Sequence, residues 1–166
     1  MNPVIEKALE KLNTHRLRFT QKPILIGGIA MEYYGIRKAG ADIDLVICDE
    51  DYQALATAYP EKRKDIWGDL GVVIDELEIW RGIMLLDYAF YRENAVDEGE
   101  LLVASPDRLL LMRVFAMDNP KYKKDLELIR DYYAKTYINA QYMAEQAKHI
   151  QTYQKNDGVV WGGMYE

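Results

Sequence analysis

Two aspartates one residue apart, Asp42 and Asp44, interrupt a stretch otherwise suited to burial, Ile43 with Leu45-Val46-Ile47. No other feature constrains the chain as much. Alternation with period two reads as a strand, in which Asp42 and Asp44 share one face and Ile43 and Leu45 point the other way, toward a core. Carboxylates on one face repel each other unless a cation sits between them. Hard cations such as Mg²⁺ take carboxylate oxygens together with substrate phosphates, and a two-ion site needs carboxylates that bridge ions roughly 3.5–4 Å apart. A strand-borne Asp-x-Asp supplies such ligands, although many surface strands also carry one.

The residues upstream add weight. Pro23 introduces Ile24-Leu25-Ile26, an apolar run suited to a buried strand, which ends at Gly27-Gly28. A helix over Ile29 to Tyr34 follows at once and is stopped by Gly35. Bare backbone N–H groups at such a junction approach a ligand closely, and the helix start favours an anion, phosphate above all. A lone Gly-Gly is more often a tight turn packed against a neighbour. A third carboxylate is expected from Asp87, within the apolar run Gly82 to Phe90. A charge buried there without a partner costs several kcal/mol, so Asp87 should meet a metal or one of Arg37, Arg81 and Arg92, unless it sits at a solvent-facing edge. Asp75 and Glu76 are the competing candidates, nearer a turn.

Periodicity places the remaining elements. Val4, Ile5, Ala8, Leu9 and Leu12 give an amphipathic helix over 3–15, and Asp49 caps another running to about Tyr59. Strands are expected over 72–74, 77–80 and 83–91, with Arg81-Gly82 as the tight turn before the last, and over 101–103. Ser105-Pro106 opens a helix to about Met117, and Asn119-Pro120 breaks it. Tyr122, Leu126, Ile129, Tyr132 and Tyr133 stripe a second helix, and 136–153 form a third. The tyrosines there, with Tyr137, Tyr142 and Tyr153, are spaced for core packing, and Trp67, Trp80 and Trp161 form no motif. The expected fold class is α+β: a small mixed sheet flanked by helices, then a helical C-terminal half. We expect one domain over 1–155, with its core over about 20–104 and its helical part over about 105–153, and a tail over 156–166.

Charge and composition exclude several classes. Residues 1–40 hold seven Lys/Arg against three Asp/Glu, and residues 41–104 hold five against sixteen. The net charge of −6 argues against a general DNA coater. The acidic middle suits cations and the basic flanks suit an anion, or both are simply solvated faces. One cysteine, Cys48, rules out an internal disulfide, and two histidines leave little for a His cage. No apolar run approaches the ~20 residues of a membrane span. These features suggest a soluble, reduced, cytoplasmic protein.

Ile26-Gly27-Gly28, thirteen intervening residues and Asp42-Ile43-Asp44-Leu45 together resemble the signature of the DNA polymerase β-like nucleotidyltransferases. The wording Gly27-Gly28-Ile29-Ala30, Tyr34-Gly35-Ile36-Arg37 and Asp42 to Leu45 is most similar to small bacterial relatives of the minimal nucleotidyltransferases and AbiEii-type toxins. Val103 to Arg113 and Lys124 to Ile129 resemble that group's helical half, so the likeness spans roughly 20–135. Many active members carry Ser where Gly28 stands, and relatives tend to carry Lys at Arg113.

The resemblance implies transfer of a nucleoside monophosphate from an NTP to an acceptor hydroxyl, in a toxin–antitoxin or defence setting. Asp42 and Asp44 would hold two Mg²⁺ ions, or Mn²⁺ in their place. Asp87 would hold the catalytic ion and help deprotonate the acceptor. Gly27, Gly28, Arg37 and Lys124 would bind the nucleotide, with Asp125 orienting the lysine. The acceptor is left open among a protein hydroxyl, a tRNA end and a small molecule, and a partner protein or a homo-oligomer is open too. The alternative is an inactive member, a nucleotide-binding or antitoxin-like protein, and a plain interaction domain is a third reading. The phosphatases of the haloacid dehalogenase type share Asp-x-Asp, but theirs follows an apolar strand, whereas Arg37 to Ala41 precede it here.

Overall fold

In the computed structural model, residues 1–116 and 119–136 are described, together with Glu145 and Lys148. The chain divides into two compact units, Met1–Ile129 and Arg130–Glu166. The first holds a mixed sheet with helices around it, the α+β class expected. Its centre is β2 (Ile43–Val46), whose Ile43, Leu45 and Val46 are fully buried. On one side β2 pairs antiparallel with β1 (Ile24–Leu25); on the other it pairs parallel with β4 (Leu77–Trp80). β3 (Gly71–Ile74), β7 (Val96–Asp97) and β8 (Leu102–Val103) complete the order β3-β4-β2-β1-β8-β7.

The helices cover this sheet where their apolar stripes require. α1 (Pro3–Thr14) begins at Asn2, whose side chain accepts the Val4 N–H at 2.9 Å, and buries Val4, Ile5, Ala8 and Leu12. α2 (Gly27–Tyr33) buries Ile29, Ala30 and Met31, and it opens at Gly27 itself rather than at Ile29. α3 (Asp49–Ala58) is tied to the loop between α1 and β1 by buried Asp51, which accepts backbone N–H groups of Thr20 and Gln21. α5 (Pro106–Phe115) starts at the expected Ser105 cap, which accepts the Arg108 N–H at 3.3 Å. α6 (Pro120–Thr136) buries Asp125 and Ile129. In the second unit the described part is the end of α6, where the Tyr132 and Tyr133 rings meet edge to face at 6.0 Å. The third helix expected over 136–153 and the tail over 156–166 lie outside the described residues, apart from Thr136, Glu145 and Lys148.

One expected element is corrected. The run read as a strand from Ile83 to Tyr91 is not part of the main sheet. It turns back at Met84-Leu85, where φ is +55° and +60°, and pairs β5 (Gly82–Ile83) with β6 (Leu86–Asp87) as a separate two-stranded ribbon. The chain then coils into α4 (Tyr88–Arg92). The tight turn is therefore at Met84-Leu85, not at Arg81-Gly82. An unbroken apolar run cannot by itself reveal a turn made by two bulky residues.

Candidate functional site

The parallel register sets Asp44 on β2 directly beside Glu78 on β4. Neighbouring residues of paired strands share a face, so the two carboxylates stand together, opposite the buried Ile43, Leu45, Leu77 and Ile79. Their face opens into a cavity of about 420 Å³, also lined by Gly27, Gly28, Arg37, Lys64, Lys121 and Tyr122. Asp44 is pushed up to about 7, first by burial and then by the neighbouring Glu78 charge, with Asp42 adding a smaller push. The Trp80 indole N–H, buried without a hydrogen-bond partner of good geometry, lies on the same face and pulls slightly the other way. Of the pair, Glu78 has a bonded cation, Lys64, and Asp44 has none.

Gly27 is required where it stands. Its φ is +63°, and a Cβ there would lie 2.6 Å from Asp44 Oδ2. The Ile26 N–H donates to the Asp44 carbonyl at 3.0 Å, which fixes the end of β1 against the acidic strand. The spacing between glycine pair and aspartates thus has a structural cause: the loop after α2 returns the chain so that Asp44 meets the bare backbone of Gly27.

Two cations serve the cavity differently. Lys64 Nζ donates to Glu78 Oε1 at 2.9 Å. Its pKa is raised, first by that bond and, against burial, by the charges of Glu78, Asp42 and Asp44. Arg37 is held from behind: its Nε and Nη2 donate to Asp125 at 2.7 and 3.1 Å, and its Nη1 to the Lys38 carbonyl at 2.9 Å. Its Nη1 lies 3.1 Å from where a Cβ on Gly28 would be. Asp125 also accepts from Arg113 Nε at 2.8 Å. Burial pushes the Asp125 carboxyl up, but the bonds from Arg37 and Arg113 outweigh it and hold it below the usual range.

The expected site residues separate accordingly. Asp44, Gly27, Gly28 and Arg37 come together at the cavity. Asp42 is exposed immediately before β2. Asp87 is not the third carboxylate: it is exposed, caps α4 by accepting the Phe90 N–H at 3.1 Å, and needs no cation there. The acid beside Asp44 is Glu78, which alternation in Leu77-Glu78-Ile79-Trp80 sets on the less buried face of β4. Lys124 is exposed and does not line the cavity; Lys121, one turn earlier on α6, does. Asp125 anchors two arginines rather than a lysine.

Among the described residues, the three ligand atoms of His15, Asp75 and Glu76 lie within 4.8 Å of one another, and no other trio is so close, the carboxylates of Asp42, Asp44 and Glu78 included. Lys11 Nζ, 2.6 Å from Glu76, already supplies a cation at the His15 trio. At the cavity, Asp44 and Glu78 form a half-buried pair of oxygen donors able to take one hard cation, with Lys64, Arg37 and Lys121 at hand for an anion. None of the described helices is long and apolar enough to cross a membrane. Compared with models of known protein families and with curated proteins, the chain matches none.

Proposed function

We propose that this cavity binds a nucleoside triphosphate with a divalent cation, and that the chain is a nucleotidyltransferase. The observation that carries the reading is the Asp44–Glu78 pair, set side by side on parallel strands against the bare backbone of Gly27. The raised pKa of Asp44 fits a site built to receive a cation. Asp44 and Glu78 would hold Mg²⁺ or Mn²⁺, which supplies charge neutralisation for the phosphates when bound. Arg37, braced by Asp125, presents its outer nitrogens near Gly28, where a phosphate oxygen would lie. Lys121 adds a second donor. Lys64 gives up or shares Glu78 when the ligand enters.

In the reaction, an acceptor hydroxyl oxygen bonds to the α-phosphorus, the bond from that phosphorus to the pyrophosphate oxygen breaks, and the hydroxyl proton leaves to water. The residues here position and neutralise, which is most of what such a transfer needs. The acceptor classes are a protein hydroxyl, a tRNA end and a small molecule, within a toxin–antitoxin or defence role.

Calorimetric titration with each Mg–NTP tests the binding, and incubation with each labelled NTP in cell lysate identifies the acceptor. Asp44→Asn and Glu78→Gln should each remove metal-dependent binding. Wild-type protein that binds no Mg–NTP defeats the reading. A second reading, a nucleotide-binding or antitoxin-like protein without turnover, is favoured by the Lys64–Glu78 ion pair and by the failure of Asp42, Asp44 and Glu78 to bring three ligand atoms within 4.8 Å of one another. Binding without a labelled product selects it.

A further inference from the structure

The rim of the cavity is made by two tight turns that carry side chains such turns seldom carry. Ile66 and Asp69 exchange backbone hydrogen bonds at 2.8 and 2.9 Å, closing a two-residue turn at Trp67-Gly68, with φ of +52° and +89°. Met84-Leu85 closes the second turn, also with both φ positive. Positive φ at both central residues favours Asn-Gly or Gly-Gly, and a bulky residue there is strained. Trp67, Met84 and Leu85 occupy these positions all the same. They are also exposed: Trp67 retains 96% and Leu85 76% of its accessible surface.

The two turns are bolted together. The Asp69 carboxylate accepts the N–H groups of Met84 at 2.8 Å and Leu85 at 2.9 Å. A Cβ on Gly68 would stand 3.1 Å from Leu85 Cδ2, so the turn tips touch. Ile66, Trp67 and Met84 line the same cavity as Asp44 and Glu78. Exposed apolar groups on strained, braced turns at one end of a cavity, and carboxylates and cations at the other, call for a ligand with a flat apolar part joined to a charged part.

Resting on the nucleotide reading above, we propose that these turns form the platform for the nucleobase, with Trp67 stacking on its face. A stacked base tolerates any sequence, because every base has a π-face, and stacking contributes roughly 5- to 150-fold in affinity. The platform would therefore accept several NTPs and discriminate strongly against a triphosphate with no base.

The test compares Mg²⁺ with ATP, GTP, CTP or UTP against Mg²⁺ with inorganic tripolyphosphate, by calorimetry. Wild-type protein should bind the nucleotides more tightly than tripolyphosphate. Trp67→Ala should weaken nucleotide binding by roughly 5- to 150-fold, leave tripolyphosphate binding unchanged, and be largely rescued by Trp67→Phe. An unchanged nucleotide affinity in Trp67→Ala overturns the platform while the metal–triphosphate reading stands, and it is the outcome expected if the rim docks a protein instead. Equal weakening of both ligands assigns Trp67 a structural role and also overturns the platform. Wild-type protein that binds neither ligand overturns both proposals.

Discussion

Asp125 and Asp44 are acids on the first unit that have been drawn from water under opposite terms. Asp125 is 2% exposed and grips Arg113, 1% exposed, and Arg37. Asp44 is half-buried beside another acid, with Lys64 reaching Glu78 and not Asp44. The first has its countercharge built in, and its pKa falls; the second does not, and its pKa rises. Burial alone therefore says little about what an acid is for. A buried acid held by two arginines is a brace, here one that aims Arg37, whereas Asp44 opens into a cavity beside another acid and carries no bonded cation of its own.

Breaking the brace should have the largest effect. Asp125→Ala leaves the buried Arg113 charge without its carboxylate and should cost about 3–5 kcal/mol in urea denaturation, and Arg113→Met, which leaves Asp125 paired with Arg37, should cost less. Asp44→Asn should do the reverse to the ligand-free protein. With a folded pKa near 7 against 3.8 for an ordinary aspartate, ionisation of Asp44 opposes folding increasingly as pH rises between those values. The variant should therefore gain roughly 1–4 kcal/mol at pH 8 and lose that advantage below about pH 4.

The two acids should also divide the pH profile. Asp125, with its pKa depressed, contributes stability that is present above the ordinary carboxylate range and lost as pH falls through its folded pKa. Without metal, the denaturation midpoint should rise as pH falls from 8 to 5, as Asp44 takes its proton, and then fall in stronger acid. Added Mg²⁺ should flatten the first limb. Lys64→Met removes the internal cation from Glu78 and should tighten Mg²⁺ binding by only a few-fold, since a half-exposed ion pair contributes about 0.2–1 kcal/mol. The smallest effect is at the rim: Trp67→Gly relieves a positive φ and should leave stability unchanged or raise it by under about 1 kcal/mol. A loss there would show that Trp67 packs rather than waits for a ligand.

Local signals carried much of the first unit. The Ser105 cap, the apolar stripe of α1, the strand at Ile43–Val46 and the glycine pair that opens α2 all follow from neighbours a few residues apart, where propensity, capping and period act. Asp44 and Gly27 were legible because the acid stands out in a buried strand and the glycines end one.

Which acid stands beside Asp44 was not legible, and only the tertiary structure decided it. A strand says which of its residues share a face, but not which strand lies beside it. Glu78 joins Asp44 because β4, and not the run after it, pairs with β2. Asp87 left the site for a reason no hydrophobic pattern records: Met84-Leu85 adopt positive φ, held by the Asp69 carboxylate fifteen and sixteen residues away in sequence. The same holds for Lys121 in place of Lys124, since which turn of α6 faces the cavity depends on Asp125 being pinned by Arg37 and Arg113. Period and composition act along the chain, whereas strand partners, turn tips and ion pairs form between segments far apart in it, and those are what assembled this site.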